Sequence, residues 1–134
     1  MGAWDLGPFD NDGAMNALGE IEKAGPQGIS EALVAAMDAV VANETYIETD
    51  CAQAAVAAAA LVALRAGAEA DDPSASTFLD SNPFEATREL KDHASKTFER
   101  IAVKDDNGWF ALWDEAGCVG AVVEGLGPYR VAVA

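Results

Sequence analysis

The stretch AQAAVAAAALVALR, residues 52–65, constrains the fold more than any other part of this chain. Alanine is the best helix former, and a helix whose side chains are small all round presents no polar face to water. We therefore expect this helix to lie at the centre of the protein, with neighbours on several faces. Asp50 and Gln53 have the spacing of a capping box at its start. Since 29 of the 134 residues are alanine, the core must gain its burial from close helix approach more than from bulky side chains.

Two further helices are predicted before this one, from their caps and their hydrophobic spacing. Asp12 is the expected N-cap of the first, which ends at Gly25-Pro26. Ser30 opens the second, in which apolar residues recur every three or four positions as far as Val41. Each of these helices has an apolar stripe that must be buried.

The second half of the chain is predicted to form a loop followed by a long and a short helix. Residues 68–83 are rich in charge, serine and proline and are expected to be an exposed loop. Asn82-Pro83 has the pattern of a cap and first turn for a helix over residues 84–104. A shorter helix begins within residues 105–107 and ends at Gly117.

The last segment, residues 119–133, leaves two alternatives open. The apolar positions from Val119 to Leu126 have helical spacing, but the glycines and valines also allow a strand, and the ending YRVAVA alternates as a strand does. As a whole, the chain is predicted to be a single all-α domain, residues 1–134. It has five or six helices and a short irregular or extended C-terminal tail.

The stretch GPFDND, residues 7–12, places two aspartates behind a Gly-Pro-Phe turn. A calcium loop needs Gly at its sixth position and Glu at its twelfth, and counting from Asp10 the chain meets neither condition. Asp10 and Asp12 could hold a hard cation only if other parts of the chain supplied more carboxylates. The stronger interpretation is structural: Asp12 caps the first helix, and Trp4 and Phe9 pack beneath it as an N-terminal aromatic plug.

The N-terminal sequence MGAWDLGPFDNDGA resembles the hallmark MG-x-W-G-x-GPFDND-x-A of a bacterial, mainly actinobacterial, family of domains of unknown function. The stretches YIETDCAQAAVAAAALVAL and FERIAVKDDNGWFALWDEAG look like the second and third blocks of that family, so the resemblance spans most of the chain. Asp5 stands where the family usually has glycine. The resemblance implies a small all-helical domain, and it supplies no catalytic residue.

Charge is the most pronounced feature of the composition, with 23 acidic against 8 basic residues and a formal net charge of −15. Such a field repels nucleic acid and anionic membranes and attracts basic proteins or cations. The same charge also keeps a protein soluble without any partner. Because the sequence contains neither a membrane-spanning apolar run nor a secretory signal, we expect a soluble cytoplasmic protein that binds neither nucleic acid nor membrane.

The residue types needed for catalysis are scarce. His93 is the only histidine and lies between Asp92 and Lys96 on a charged helix, which favours a surface position. Cys51 and Cys118 are expected to be small buried side chains rather than a disulfide or zinc ligands. The chain has no glycine-rich phosphate loop. We therefore predict no catalytic residue, no metal site and no cofactor.

Two functions of different class follow from these observations. The first is a non-enzymatic acidic interaction protein, such as an inhibitor or immunity factor that covers the basic surface of a nuclease or another cationic partner. Its predicted binding positions are Asp38, Glu44, Glu48 and Asp50. The alternative is a metal-dependent hydrolase, whose carboxylates would be Asp10, Asp12, Glu48 and Asp50. The first is favoured because the chain lacks the usual catalytic sets.

Overall fold

Eight helices follow one another along residues 7–134, the part of the chain that this computed structural model describes. They are α1 (Asp12–Lys23), α2 (Ile29–Val41), α3 (Thr49–Arg65), α4 (Pro73–Ser81), α5 (Arg88–Ile101), α6 (Gly108–Glu115), α7 (Val119–Gly125) and α8 (Gly127–Val133). The described residues contain no strand, and the all-α prediction is confirmed. The predicted number of five or six helices is wrong, because both the expected loop and the final segment form additional short helices.

The alanine-rich helix α3 is the centre of the structure, as its composition predicts. Every residue from Ala55 to Ala63 is buried. Helices α1, α2, α4, α5, α6 and α8 all contact it. Small side chains allow these neighbours to approach closely on every side, so α3 needs no polar face. The predicted capping box is wrong: the N-cap is Glu48, without a side-chain hydrogen bond, and the Asp50 carboxylate accepts instead from the backbone N–H of Cys51 at 2.9 Å.

The segment predicted as an exposed loop, residues 68–83, contains the helix α4. Asp72 caps it by accepting a hydrogen bond from the backbone N–H of Ala75 at 3.1 Å, and Pro73 occupies the first turn. Aspartate followed by proline is a good helix-starting pair. Because the segment is also rich in charge and serine, its composition resembles that of an exposed loop.

Asn82 ends α4 and does not begin α5, contrary to the prediction. Its side-chain amide donates to the Phe78 carbonyl and to the Glu22 carboxylate, each at 2.9 Å. Helix α5 begins at Arg88, where the Thr87 hydroxyl accepts from the Leu90 N–H. The buried Asn82 amide therefore ties the end of α4 to α1.

The C-terminal segment is helical throughout, so the alternatives left open by its sequence are decided in favour of helix. The expected extended tail is absent from the described residues. The buried side chains of α7, α8 and their junction are Val122, Leu126, Tyr129 and Val133. Their spacing of four, three and four residues is that of one helical face. Within residues 7–134, no helix is both long enough and apolar enough to cross a membrane.

Replacing Ala58 with leucine should lower the free energy of unfolding by roughly 1–3 kcal/mol, since extra methylene groups in a filled core displace its neighbours. Ala58 is fully buried on α3. The matched control is Ala111→Leu on an exposed position of α6, which should change stability by no more than about 0.5 kcal/mol. Urea unfolding followed by circular dichroism measures both. Equal effects of the two substitutions would show that α3 is not the tightly packed centre.

Candidate functional site

The acidic positions predicted for binding lie on and around the connection between α2 and α3. Glu44 is in the connection, Glu48 is the N-cap of α3, and Asp50 is in its first turn. All three are exposed, and none forms an ion pair with another residue of the described range. Their negative charge is therefore not neutralised by a neighbouring side chain.

Asp38, the fourth predicted position, is turned toward another part of the surface. Its carboxylate lies 3.4 Å from Nε2 of His93 on α5. The other ring nitrogen of His93, Nδ1, lies 3.0 Å from the Glu89 carbonyl. Both nitrogens of this histidine face protein oxygens, so neither is free to activate a nucleophile. Asp38 thus adds to the negative field without joining the other three acids.

The connection between α2 and α3 is held firmly against the start of α6. The backbone N–H of Ile47 donates to the Asp106 carbonyl, and the N–H of Gly108 donates to the Ile47 carbonyl, both at 2.9 Å. Ile47 is fully buried. A Cβ at Gly108 would lie 2.9 Å from the Ile47 carbonyl oxygen, so only glycine permits this approach. The acidic side chains consequently project from an anchored backbone.

Cys51 lies beside these acids and is exposed, contrary to the prediction that both cysteines are buried. Cys118 is half-buried, and both thiols are free. Partial burial raises the pKa of the Cys51 thiol, and the negative charges of Asp50 and Glu48 raise it further. Because a thiol with a raised pKa stays protonated at neutral pH, Cys51 is not an activated nucleophile.

A groove runs between α1 and α2 and has α3 as its floor; we refer to it as the α1–α2 groove. Its volume is about 440 Å³. It is lined mainly by small residues, with Gly13, Asn16, Ala17, Glu20 and Ile21 on α1, Ala32, Ala35 and Ala36 on α2, and Asp50, Cys51 and Ala54 on α3. The groove exists because α1 and α2 each pack more extensively on α3 than on each other.

The GPFDND stretch forms a turn that starts α1. The backbone N–H of Gly7 donates to the Asp10 carboxylate at 3.1 Å, and the N–H of Asp10 donates to the Gly7 carbonyl at 3.2 Å. Asn11, and not Asp12, is the N-cap: its side-chain oxygen accepts from the Ala14 N–H at 2.7 Å. Asp12 is exposed in the first turn, where its charge interacts favourably with the helix dipole.

The same turn closes one end of the core. Phe9 is buried, whereas Trp4 lies outside the described residues, so the aromatic plug stays a prediction. Gly7, Pro8 and Asn11 line a cavity of about 10 Å³ together with Trp109 and Trp113 of α6. Such a cavity holds no more than about one water molecule. The GPFDND turn therefore contributes to packing at this end of the core, and the cavity that it lines is too small for a ligand larger than water.

Tyr129 on α8 lies near this end of the molecule. Burial raises the pKa of Tyr129 to about 12, with smaller contributions from the negative charges of Asp72 and Asp10. The phenol is protonated at physiological pH and cannot act there as a base.

The carboxylates proposed for the alternative, metal-dependent function do not form a metal centre. Among residues 7–134, no three His, Cys, Asp or Glu side chains are grouped so that they could hold one ion. Asp10, Asp12, Glu48 and Asp50 are therefore not brought together as a ligand set.

The fold and the candidate site define a small helical protein with an anchored acidic connection beside an apolar groove. Residues 2–121 match a family described as a domain of unknown function, DUF4259. Since the match covers nearly the whole chain, the protein belongs to this family. Neither a curated protein nor a solved structure matches the chain.

The α1–α2 groove was missed by sequence reasoning, although one signal was present. Ala32, Ala35 and Ala36 repeat at helical spacing on α2, separate from the large apolar residues of its core face. Such a second stripe of small residues indicates a face that another element can approach closely. Asn11 was missed for a simpler reason, since Asn and Asp are equally good caps and Asp12 is its neighbour.

Asn11→Ala should lower the free energy of unfolding by roughly 1–2 kcal/mol, because α1 loses its cap. Phe9→Ala should lower it by about 3–5 kcal/mol through loss of a buried aromatic ring. Asp12→Ala serves as the control and should cost less than about 1 kcal/mol, since only a helix-dipole interaction is lost. Thermal and urea unfolding test the order. A larger effect at Asp12 than at Asn11 would contradict the cap assignment.

Stability should fall between pH 10 and 12 because of Tyr129. The unfolded phenol ionises at its ordinary pKa of 10.0, whereas the folded phenol keeps its proton up to about 12, so alkali favours the unfolded state within this window. Below it both states are protonated and Tyr129 adds no pH dependence. Urea unfolding across the window should show a shallower fall for Tyr129→Phe than for the wild type. Tyr46→Phe, at an exposed position, is the control. Identical slopes for wild type and Tyr129→Phe would refute the assignment.

Proposed function

We propose that this protein is a non-enzymatic interaction module that binds a basic partner protein, as an inhibitor or immunity factor does. The observation that supports this most directly is an unneutralised acidic surface. Residues 24–64 contain no lysine or arginine. Within them, Glu44, Glu48 and Asp50 are exposed and form no ion pair with the described residues. Such a surface attracts a cationic partner from a distance and favours complementary charge on contact.

The anchored backbone of the α2–α3 connection strengthens this proposal. Ile47 and Gly108 hold the connection to α6 through backbone hydrogen bonds. A surface that is ordered before binding loses less conformational entropy when the complex forms. The backbone that carries the three exposed carboxylates is therefore already ordered before a partner binds.

The chemistry of the described residues does not favour an enzyme. The Cys51 thiol is protonated at neutral pH, both nitrogens of His93 face protein oxygens, and the described carboxylates form no three-ligand metal group. The metal-dependent hydrolase is accordingly not favoured. We also propose that the protein is bacterial, which the N-terminal motif supports. We further propose a cytoplasmic location, which the two free cysteines support.

The double reversal Glu44→Lys with Glu48→Lys should abolish capture of the partner. In an affinity capture from the native lysate, the wild type should retain a strongly basic protein that the double variant does not retain. The matched control is Glu69→Lys with Asp71→Lys, which changes the net charge equally in the exposed connection after α3, at the opposite end of that helix. The control variant should still capture the partner.

With that partner purified, the association rate should fall by about tenfold or more as the ionic strength rises from about 0.01 to 0.15 M, because the screening length shrinks from about 30 to 8 Å. Surface plasmon resonance measures the rate. An association rate that does not depend on salt, or equal loss of capture with both double variants, would refute the proposed surface.

A further inference from the structure

We propose that the α1–α2 groove binds an amphipathic helix of the basic partner. Small apolar residues of that helix would face the groove, and its lysine or arginine residues would lie along both flanks. This inference rests on the proposed function. It adds the place where the partner inserts and the form of the inserted segment.

The shape of the groove fits a helix. Its walls and floor are formed by three helices, and five of the eleven residues that line it are alanine. Two helices pack with their axes about 8–10 Å apart, and the smallest separations need small side chains at the contact. The groove follows α1 from Gly13 to Ile21, a length of about 12 Å or two helical turns. An inserted helix of three or four turns would contact both walls and the floor and would extend beyond both ends of the groove.

The apolar character of the groove indicates what its occupant presents. Ala17, Ala35 and Ala54 contribute methyl groups from three different helices. Ala35 is exposed, although it lies among other apolar groups. Covering these methyl groups with an apolar helix face removes them from water, which is the main source of affinity in helix-in-groove recognition.

The charge around the groove indicates which residues should lie on either side of the inserted helix. Glu20 and Asp50 line the groove itself, and Glu48 lies near Cys51 on its floor. Residues 12–54, which include both walls and the start of the floor, contain eight acidic residues and one basic residue, Lys23. Lys23 lies 3.2 Å from Glu20, and both side chains are largely exposed, so this single pair neutralises little of the field. Basic residues flanking the inserted helix would face uncompensated carboxylates.

The same charge argues against a second copy of this chain as the occupant. Each copy carries a net charge of −15, and a symmetric contact would place the acidic borders of two grooves against each other. Like charges juxtaposed across an interface oppose association. A basic helix from a different protein satisfies both the apolar floor and the acidic borders.

The first test uses three synthetic peptides of about 14 residues, a length of nearly four helical turns. The patterned peptide has alanine and leucine on one face and lysine on the other, the second is the same composition scrambled, and the third is an oligolysine of equal charge. Binding is measured by fluorescence anisotropy. The patterned peptide should bind at least about tenfold more tightly than the scrambled peptide, a difference of about 1.4 kcal/mol. Equal binding of these two peptides would overturn the proposal.

The second test fills the groove. Ala35→Trp places a large side chain between the walls, and Ala111→Trp places the same side chain on an exposed position of α6. Ala35→Trp should weaken the patterned peptide by about tenfold or more and leave oligolysine binding unchanged, whereas Ala111→Trp should change neither. Circular dichroism confirms that both variants are folded. Wild-type affinity for the patterned peptide in Ala35→Trp would overturn the groove.

Cys51 supplies a direct report of occupancy, because its thiol lies on the floor of the groove. In a Cys118→Ser background, the patterned peptide should slow alkylation of Cys51 severalfold, and the scrambled peptide should not. Alkylation at the same rate with both peptides would count against insertion. Analytical ultracentrifugation adds one more outcome: a dimer that Ala35→Trp converts to a monomer would identify a second copy as the occupant and overturn the proposal.

These results separate the inference from the proposed function. If Glu44→Lys with Glu48→Lys abolishes partner capture while Ala35→Trp does not affect it, the acidic surface is correct and the groove is not the seat. If neither change affects capture, both proposals fail. Loss of capture with Ala35→Trp and with the double reversal, but not with Ala111→Trp, supports both.

Discussion

Burial of α3 on all sides is the constraint on which the rest of the structure depends. From Ala55 to Ala63 the helix has no exposed residue, so every neighbouring helix must approach it closely for the protein to exclude water. Alanine makes that approach possible, because its methyl group fills little space and loses no rotamer freedom on burial. The arrangement of α1, α2, α5, α6 and α8 follows from the shared need to cover one central helix.

The candidate site is a consequence of this packing. Helices α1 and α2 cover α3 from two directions and therefore leave a groove between them, with Cys51 and Ala54 at its base. The connection between α2 and α3 lies at one end of the groove. Its side chain Ile47 is buried, and the Ile47 backbone is hydrogen-bonded to residues at the start of α6. Apolar groove and acidic connection are adjacent because both lie at the N-terminal end of α3. This adjacency is the basis of the proposal that the site binds a basic amphipathic helix.

The GPFDND turn, residues 7–12, has a structural role that is separate from the proposed binding surface. Phe9 lies in the core, Asn11 caps α1, and the Asp10 carboxylate accepts from the Gly7 backbone. These contacts establish the direction of α1, and with it one wall of the groove. A motif with two aspartates thus acts through helix capping and packing, whereas the carboxylates of the proposed binding surface lie around the start of α3.

Much of the fold is determined by local sequence. The all-round small character of residues 52–65 predicts a central helix, and the excess of acids over bases predicts a strongly negative surface. The helix starts were harder to predict, because Asn11 and Asp12 are equivalent caps in sequence and only the backbone geometry distinguishes them. Asn82 shows the same difficulty: its amide ends α4 and reaches Glu22 on α1, a contact between residues far apart in the chain.

The candidate site could likewise be predicted only in part from the sequence. The acidic residues Glu44, Glu48 and Asp50 are close in sequence, so their proximity could be predicted, whereas the pairing of Asp38 with His93 required the packing of α2 on α5. The groove depended entirely on tertiary structure. Ala58 and Ala35 are the same residue type in the same kind of helix, yet Ala58 is covered on α3 and Ala35 faces an open groove on α2. Sequence determines that such side chains are small enough for a neighbouring helix to approach. Whether this chain supplies that neighbour depends only on where its helices lie, because burial is a property of the surrounding elements and not of the residue.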